Sequence, residues 1–154
     1  MAGWRKIFLH FVCWAGVLVC VFATSAEESG FKHYRENVLK QIEEIKASLA
    51  KGPPDAKKHF QLGLAYMALG RHRDEVTEYR EAVRLEPDFA AAHYNLGLAY
   101  DLLADGGLAI RHMRKAQAIY SADRDHRGVR ASERYIRTFK EKYGRQPVGG
   151  GYGE

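Results

Sequence analysis

Apolar residues recur at three- and four-residue steps along most of this chain, which is the period of an amphipathic helix. One stripe runs through Phe31, Tyr34, Val38, Ile42, Ile45 and Leu49, with Glu43, Glu44 and Lys46 lying off it. It predicts a single uninterrupted helix over 29–50, capped by Ser29 and ended by Lys51-Gly52-Pro53-Pro54. Further on, Phe60, Leu64 and Met67 share one stripe, while Leu62, Ala65, Tyr66 and Leu69 fill the adjoining faces. A helix that is apolar nearly all round is buried on more than one side. Gly70 ends this helix, a second begins near Asp74 or Glu75, and Val76, Tyr79, Ala82, Val83 and Leu85 form the buried side of that second helix before Pro87 stops it. The last helix, about Arg127 to Tyr143, carries the stripe Val129, Ile136, Phe139 and Tyr143.

The pattern between 56 and 123 is one 34-residue unit written twice. His59, Leu62, Gly63, Leu64, Ala65 and Tyr66 recur as His93, Leu96, Gly97, Leu98, Ala99 and Tyr100. Ala56, Arg80 and Ala82 recur as Ala90, Arg114 and Ala116, and Phe60, Val76 and Leu85 are echoed by Tyr94, Ile110 and Ile119. Repetition at this period marks a stacked array of helical hairpins. Gly63 in mid-helix costs roughly 1 kcal/mol against Ala; its expected return is the close approach of a neighbouring helix.

At His59, Leu62, Gly63 and Tyr66, and again at His93, Leu96, Gly97 and Tyr100, the chain resembles the tetratricopeptide repeat family. The small residues Ala82, Ala109 and Ala116, the aromatic Tyr79 and the closing Pro87 fit the same pattern. Several positions depart from it. His stands twice for a large residue, Glu75 for a small one, Met113 for the second aromatic and Ser121 for the second proline. Ala104 replaces the inter-helix glycine, so Gly106–Gly107 are expected to take over that turn. The resemblance implies an all-α, helical-hairpin solenoid: two repeats flanked by a long N-terminal helix and a C-terminal capping helix. Its expected divisions are a signal segment over 1–26, an N-terminal helix and linker over 27–55, repeats over 56–123, a cap over 124–143 and a disordered tail over 144–154. A cap with a polar outer side meets a need of repeat arrays, whose last unit otherwise exposes its apolar face.

Compartment and chemistry narrow the reading. Arg5 and Lys6 precede an apolar run over 7–23, and Thr24-Ser25-Ala26 follows it. These are the parts of a secretory signal cleaved after Ala26, with an uncleaved anchor formed by residues 7–23 as the alternative. The repeats are then expected on the exported side, periplasmic or secreted. Both cysteines, Cys13 and Cys20, lie in that segment, so the mature chain would have no disulfide, thiolate nucleophile or Cys-based zinc site. The sequence offers no phosphate-cradling loop, nucleophile elbow or paired-histidine metal motif. No enzyme activity, cofactor or metal is expected. His93, Asp101 and Asp105, although at helical spacing, read as packing or surface residues.

Function is therefore expected on a surface. By the resemblance, first helices line a concave groove, which assigns Phe60, Leu64, Met67 and Ala68 from one repeat and Tyr94, Leu98, Asp101 and Leu102 from the next. The groups that clamp a peptide carboxylate in some members of the family are absent except for Asn95. An apolar trough suits an amphipathic helix or an extended peptide of a protein partner. It is alternatively covered in cis by residues 31–49, in a self-associating or accessory subunit of an envelope assembly. The net charge is +5 over the full chain, and eleven Lys and Arg fall in 111–145. Arg127, Arg130, Arg134 and Arg137 make a basic outer face on the last helix, suited to an acidic protein face or an anionic membrane surface. Export argues against nucleic acid. A homo-oligomer, through the array ends or the 29–50 helix, is the further partner expected. His59 and His93, one repeat apart, are expected as packing residues roughly 10 Å from each other.

Overall fold

Three aspartates start three of the helices. In the computed structural model, which describes residues 30–144, the Asp55 carboxylate accepts from the Lys57 and Lys58 amides at 2.9 and 3.2 Å. Asp105 accepts from the Leu108 amide at 3.0 Å, and Asp125 from the Arg127 and Gly128 amides at 3.0 and 3.1 Å. Each satisfies amides that the first helical turn leaves unpaired. The helices are α1 (30–51), α2 (Ala56–Ala68), α3 (His72–Leu85), α4 (Ala90–Leu102), α5 (Gly106–Ala122) and α6 (His126–Tyr143). There is no strand among the described residues. The expected signal segment and all but the first residue of the expected tail lie outside them.

The chain divides into two units, 1–40 and 41–154. In the first, residues 30–40 are helical and expose Phe31 (64%), Tyr34 (51%) and Leu39 (44%). The second unit holds α2 to α6, consecutive helices packing in turn.

The connections repeat one turn with three different residues. Gly70, Ala104 and Arg124 all take left-handed backbone, with φ of 69°, 60° and 60°. The amide after each returns to the preceding helix: Arg71 to the Tyr66 carbonyl, Asp105 to that of Tyr100, and Asp125 to that of Tyr120. The expected Gly106–Gly107 turn is thus corrected. Ala104 adopts the strained conformation itself, and the two glycines are the first residues of α5. The start of α3 is also earlier than expected: a turn this tight leaves only Arg71 before the helix, so Asp74 and Glu75 sit within its first turn.

Packing then depends on bulk set against no side chain. The Tyr79 ring of α3 lies on Gly63 of α2, Met113 of α5 lies against Gly97 of α4, and the Tyr120 and Tyr143 rings cover Gly128 and Gly106. Tyr79, Leu96, Ala99, Ala109, Met113 and Phe139 form a core continuous from α3 to α6, to which Val76, Tyr100 and Ile136 add. α6 joins it as more than a polar-backed cap. Aligning its aspartate cap with that of α2 brings Ser132 onto Leu62 and Leu96, and Ile136 onto Tyr66 and Tyr100, all buried. It occupies the place of a third first helix, delayed by two residues because α5 runs longer than α3.

Two substitutions test this geometry. Tyr79 is fully buried and cannot swing aside, so Gly63→Ala should lower stability by about 1–3 kcal/mol through overpacking. Ala104→Gly should raise it by about 1 kcal/mol by relieving left-handed backbone. Thermal denaturation should show Tm shifts of opposite sign. Equal or reversed shifts would contradict the packing described.

Candidate functional site

The face formed by α2 and α4 is built from side chains that are partly anchored and partly free. Phe60 is half-buried, with its ring 4.8 Å from Phe89 and 5.5 Å from Tyr79. Leu64, Tyr94 and Leu98 are half-buried and rest on the core. Met67 and Leu102 project further, at 44% and 58% exposed. Large apolar side chains this open lose the free energy that burial would give, about 25 cal/mol per Å². The Tyr94 ring stands edge-on to Tyr135 of α6 with centroids 5.7 Å apart.

Two expected groove residues have other commitments. Asn95 donates its amide to the Tyr79 hydroxyl at 3.4 Å and so faces the wall of the hairpin. The Asp101 carboxylate accepts from Lys142 Nζ and from the Tyr143 hydroxyl, both at 2.8 Å, and that hydroxyl also reaches the Asp101 carbonyl at 3.1 Å. The hydrogen bond to Asp101 raises the Lys142 pKa. Asp101 therefore clasps α4 to α6, at the edge of the apolar residues. Residues 41–51 of α1 meet α2 at another surface: Lys46 lies 5.8 Å from the ring of Tyr66, a residue of the buried stripe. Phe89, Tyr135, Lys142 and Tyr143 shape the site without having been expected there. The edge-on contact of Tyr135 could be anticipated only once α6 is placed in register.

Arg127, Arg130, Arg134 and Arg137 are all exposed, and none has an ion pair with another described residue. The Arg134 guanidinium sits 5.7 Å from the Tyr135 ring centroid, a cation–π contact.

The histidines pair within hairpins and not between them. His59 meets Glu78 at 2.7 Å, and His93 meets His112 at 3.0 Å through their Nδ1 atoms. His93 Nε2 lies 3.1 Å from the Pro87 carbonyl, which can only accept. Nε2 thus carries the proton, and His112 Nδ1 donates to His93 Nδ1. The His112 ring is stacked between His93 and Tyr100, with centroids 5.3 and 5.5 Å away. Burial, then His93, Arg111 and Arg80, push the His112 pKa down from 6.5 to about 4. Burial also lowers His93, and Lys115 adds to this while Pro87 and Asp88 oppose it. Both rings are neutral at pH 7 and belong to the packing. Glu75 is buried against His72 at 2.9 Å, with its pKa raised by burial. Among the described residues, no group of three or more His, Cys, Asp or Glu is placed to hold a metal.

With this geometry in place, the comparisons are specific about the fold. A family model for the TPR repeat matches residues 63–103. The match falls on the repeated segment, and the fold is that of a tetratricopeptide-repeat array. It is similar to the structure of PcrH in complex with the chaperone-binding region of PopD, at 16% identity over 73% of this chain and 86% of that one, with a TM-score of 0.65. The type III secretion translocator chaperone SycD of Yersinia enterocolitica gives 12% identity, 73% and 79% coverage and a TM-score of 0.65. The TPR domain of Sgt2 from Aspergillus fumigatus gives 22%, 83% and 85%, with a TM-score of 0.57. No curated protein matches the chain.

The histidine pair makes a measurable prediction. The folded-state value of His112 lies below its ordinary 6.5, so the unfolded chain binds more protons between about 6.5 and about 4. The contribution is complete above that window and is lost as pH falls through it. His112→Gln should flatten the fall in Tm between pH 6.5 and 4 relative to the unsubstituted chain. Parallel pH profiles would show that the pair does not control acid stability.

Proposed function

We propose that this protein is an exported, non-enzymatic scaffold that holds a peptide segment of another protein along the first helices of its repeats. The observation that carries this reading is the row Phe60, Leu64 and Met67 on α2 beside Tyr94, Leu98 and Leu102 on α4. Phe60, Leu64, Tyr94 and Leu98 rest on the core, while Met67 and Leu102 are left open. A preordered apolar surface loses little entropy when a ligand covers it. Repeat arrays present extended concave surfaces of this kind. The similar structure of PcrH holds the chaperone-binding region of PopD, which adds support for a peptide partner.

Export rests on Arg5 and Lys6, the apolar run 7–23 and the small residues Thr24-Ser25-Ala26. N-terminal sequencing of the protein from the exported fraction should read from Glu27, or from Met1 if residues 7–23 serve as an anchor. Among the described residues, no helix is long and apolar enough to cross a membrane, and residues 7–23 lie outside them. A second reading, self-association, is favoured by the open Phe31, Tyr34 and Leu39. It requires a mass that rises with concentration in light scattering.

The groove is tested by the double variant Leu64→Glu with Leu98→Glu. Each leucine can contribute about 1.5–3 kcal/mol when covered by a ligand. Capture of a partner from the exported fraction should fall by about 100-fold or more, with helicity by circular dichroism unchanged. Undiminished capture would place the site elsewhere.

A further inference from the structure

The four arginines of α6 fall in the register of the groove. Asp55 and Asp125 cap α2 and α6 with the same pair of bonds, to the amides two and three residues on. Phe89 holds the equivalent place before α4. Counted from these caps, Phe60 and Tyr94 correspond to Arg130, Leu64 and Leu98 to Arg134, Met67 and Asp101 to Arg137, and Lys57 and Ala91 to Arg127. The buried triplets Leu62, Leu96, Ser132 and Tyr66, Tyr100, Ile136 show that the alignment is physical and not merely numerical. Direct contacts agree with it: Tyr94 meets Tyr135 edge-on, and Arg134 stands over Tyr135. This register sets the expected basic face in line with the apolar trough.

We propose that α6 completes the groove as an arginine rail, and that the segment held there is an amphipathic peptide carrying acidic residues beside its apolar anchors. This rests on the groove reading above and specifies its ligand. The argument is charge complementarity. None of the four guanidiniums forms an ion pair with a described carboxylate. Asp125 caps its helix and Glu133 accepts from Gln117 at 3.2 Å, while Glu133 and Glu141 share a cleft with Arg137, which leaves Arg130 and Arg134 outside that cleft. Asp101, the one carboxylate at the named groove positions of α4, is held by Lys142 and Tyr143. Arginine forks bind carboxylates bidentately, which gives position as well as attraction. An anionic lipid surface would meet the same charges. However, Leu64 and Leu98 are recessed onto the core, a shape that suits an inserted side chain better than a planar headgroup layer. Neighbouring helices lie roughly 10 Å apart, and an extended chain advances about 3.3 Å per residue. The acidic residues should thus stand about three positions beyond an anchor over α4 and about six beyond one over α2.

The test is selection of random twelve-residue peptides displayed on phage against the full chain. Selected peptides should combine apolar residues with Asp or Glu at those spacings. A selected peptide should bind at least tenfold more weakly to Arg130→Glu/Arg134→Glu/Arg137→Glu, and tenfold more weakly in 500 mM than in 50 mM salt. These residues are exposed, so circular dichroism of the variant should match the parent. Selection repeated on that variant should favour Lys and Arg. Apolar peptides without acidic enrichment, lost on Leu64→Glu with Leu98→Glu but unaffected by the arginine changes, would overturn the rail and leave the groove standing. Failure to select any peptide, or peptides indifferent to both variants, would overturn both. Arginine-dependent sedimentation with phosphatidylserine vesicles, without acidic peptides, would overturn the proposal in favour of lipid.

Discussion

Tyr79 packs where a side chain on α2 would otherwise stand. Its ring lies directly on Gly63, it is fully buried, and Phe60 leans on it from the groove side while Asn95 bonds its hydroxyl from α4. Burial raises its pKa well above the ordinary phenol value, with Glu75 adding to the effect. This one contact sets the spacing of the first hairpin and supports Phe60, a residue of the proposed groove. Gly97 against Met113, and the glycines under Tyr120 and Tyr143, repeat the arrangement along the array. Interiors are close-packed and respond to single methyl groups, so removing the space beneath these side chains would shift the helices that carry the candidate site.

The same packing leaves weak points. Ser132 is buried at a place that leucine fills in α2 and α4, and its hydroxyl has no hydrogen-bond partner among the described residues. An unmade buried bond of this kind costs about 1–3 kcal/mol. The neutral stack of His93, His112 and Tyr100 is held only while its rings remain uncharged. Ala104 and Arg124 hold conformations that glycine takes without strain. These positions are sacrificed to keep the turns and the helix spacing uniform. Such uniformity keeps α2, α4 and α6 in one register, with Leu62, Leu96 and Ser132 buried at equivalent places.

Much of this was legible in the sequence because the 34-residue period repeats signature and core positions together. Gly63 announced a close approach, and Gly70 announced a turn. The turn at Ala104 was not legible, because the physics of the turn overrode the preference for glycine. The place of α6 was hidden for a different reason. It follows α4 by 36 residues, and Val129, Glu133 and Ile136 stand where the repeats have His, Gly and Tyr. Its arginines therefore gave no sign in sequence of the register they share with the first-helix positions. Asp101 looked like an open groove carboxylate, because a contact with Lys142 and Tyr143, some forty residues on, leaves no local pattern.

On the proposed reading, one continuous surface, apolar on α2 and α4 and cationic on α6, receives a single ligand. Nuclear magnetic resonance mapping of the isotope-labelled chain, titrated with an acidic amphipathic peptide, tests it most directly. A shared surface should give concerted shifts at Leu64, Leu98 and Arg134, with little change at Glu75 or His112 on the second helices. Shifts confined to α6, or spread over α3 and α5, would contradict it.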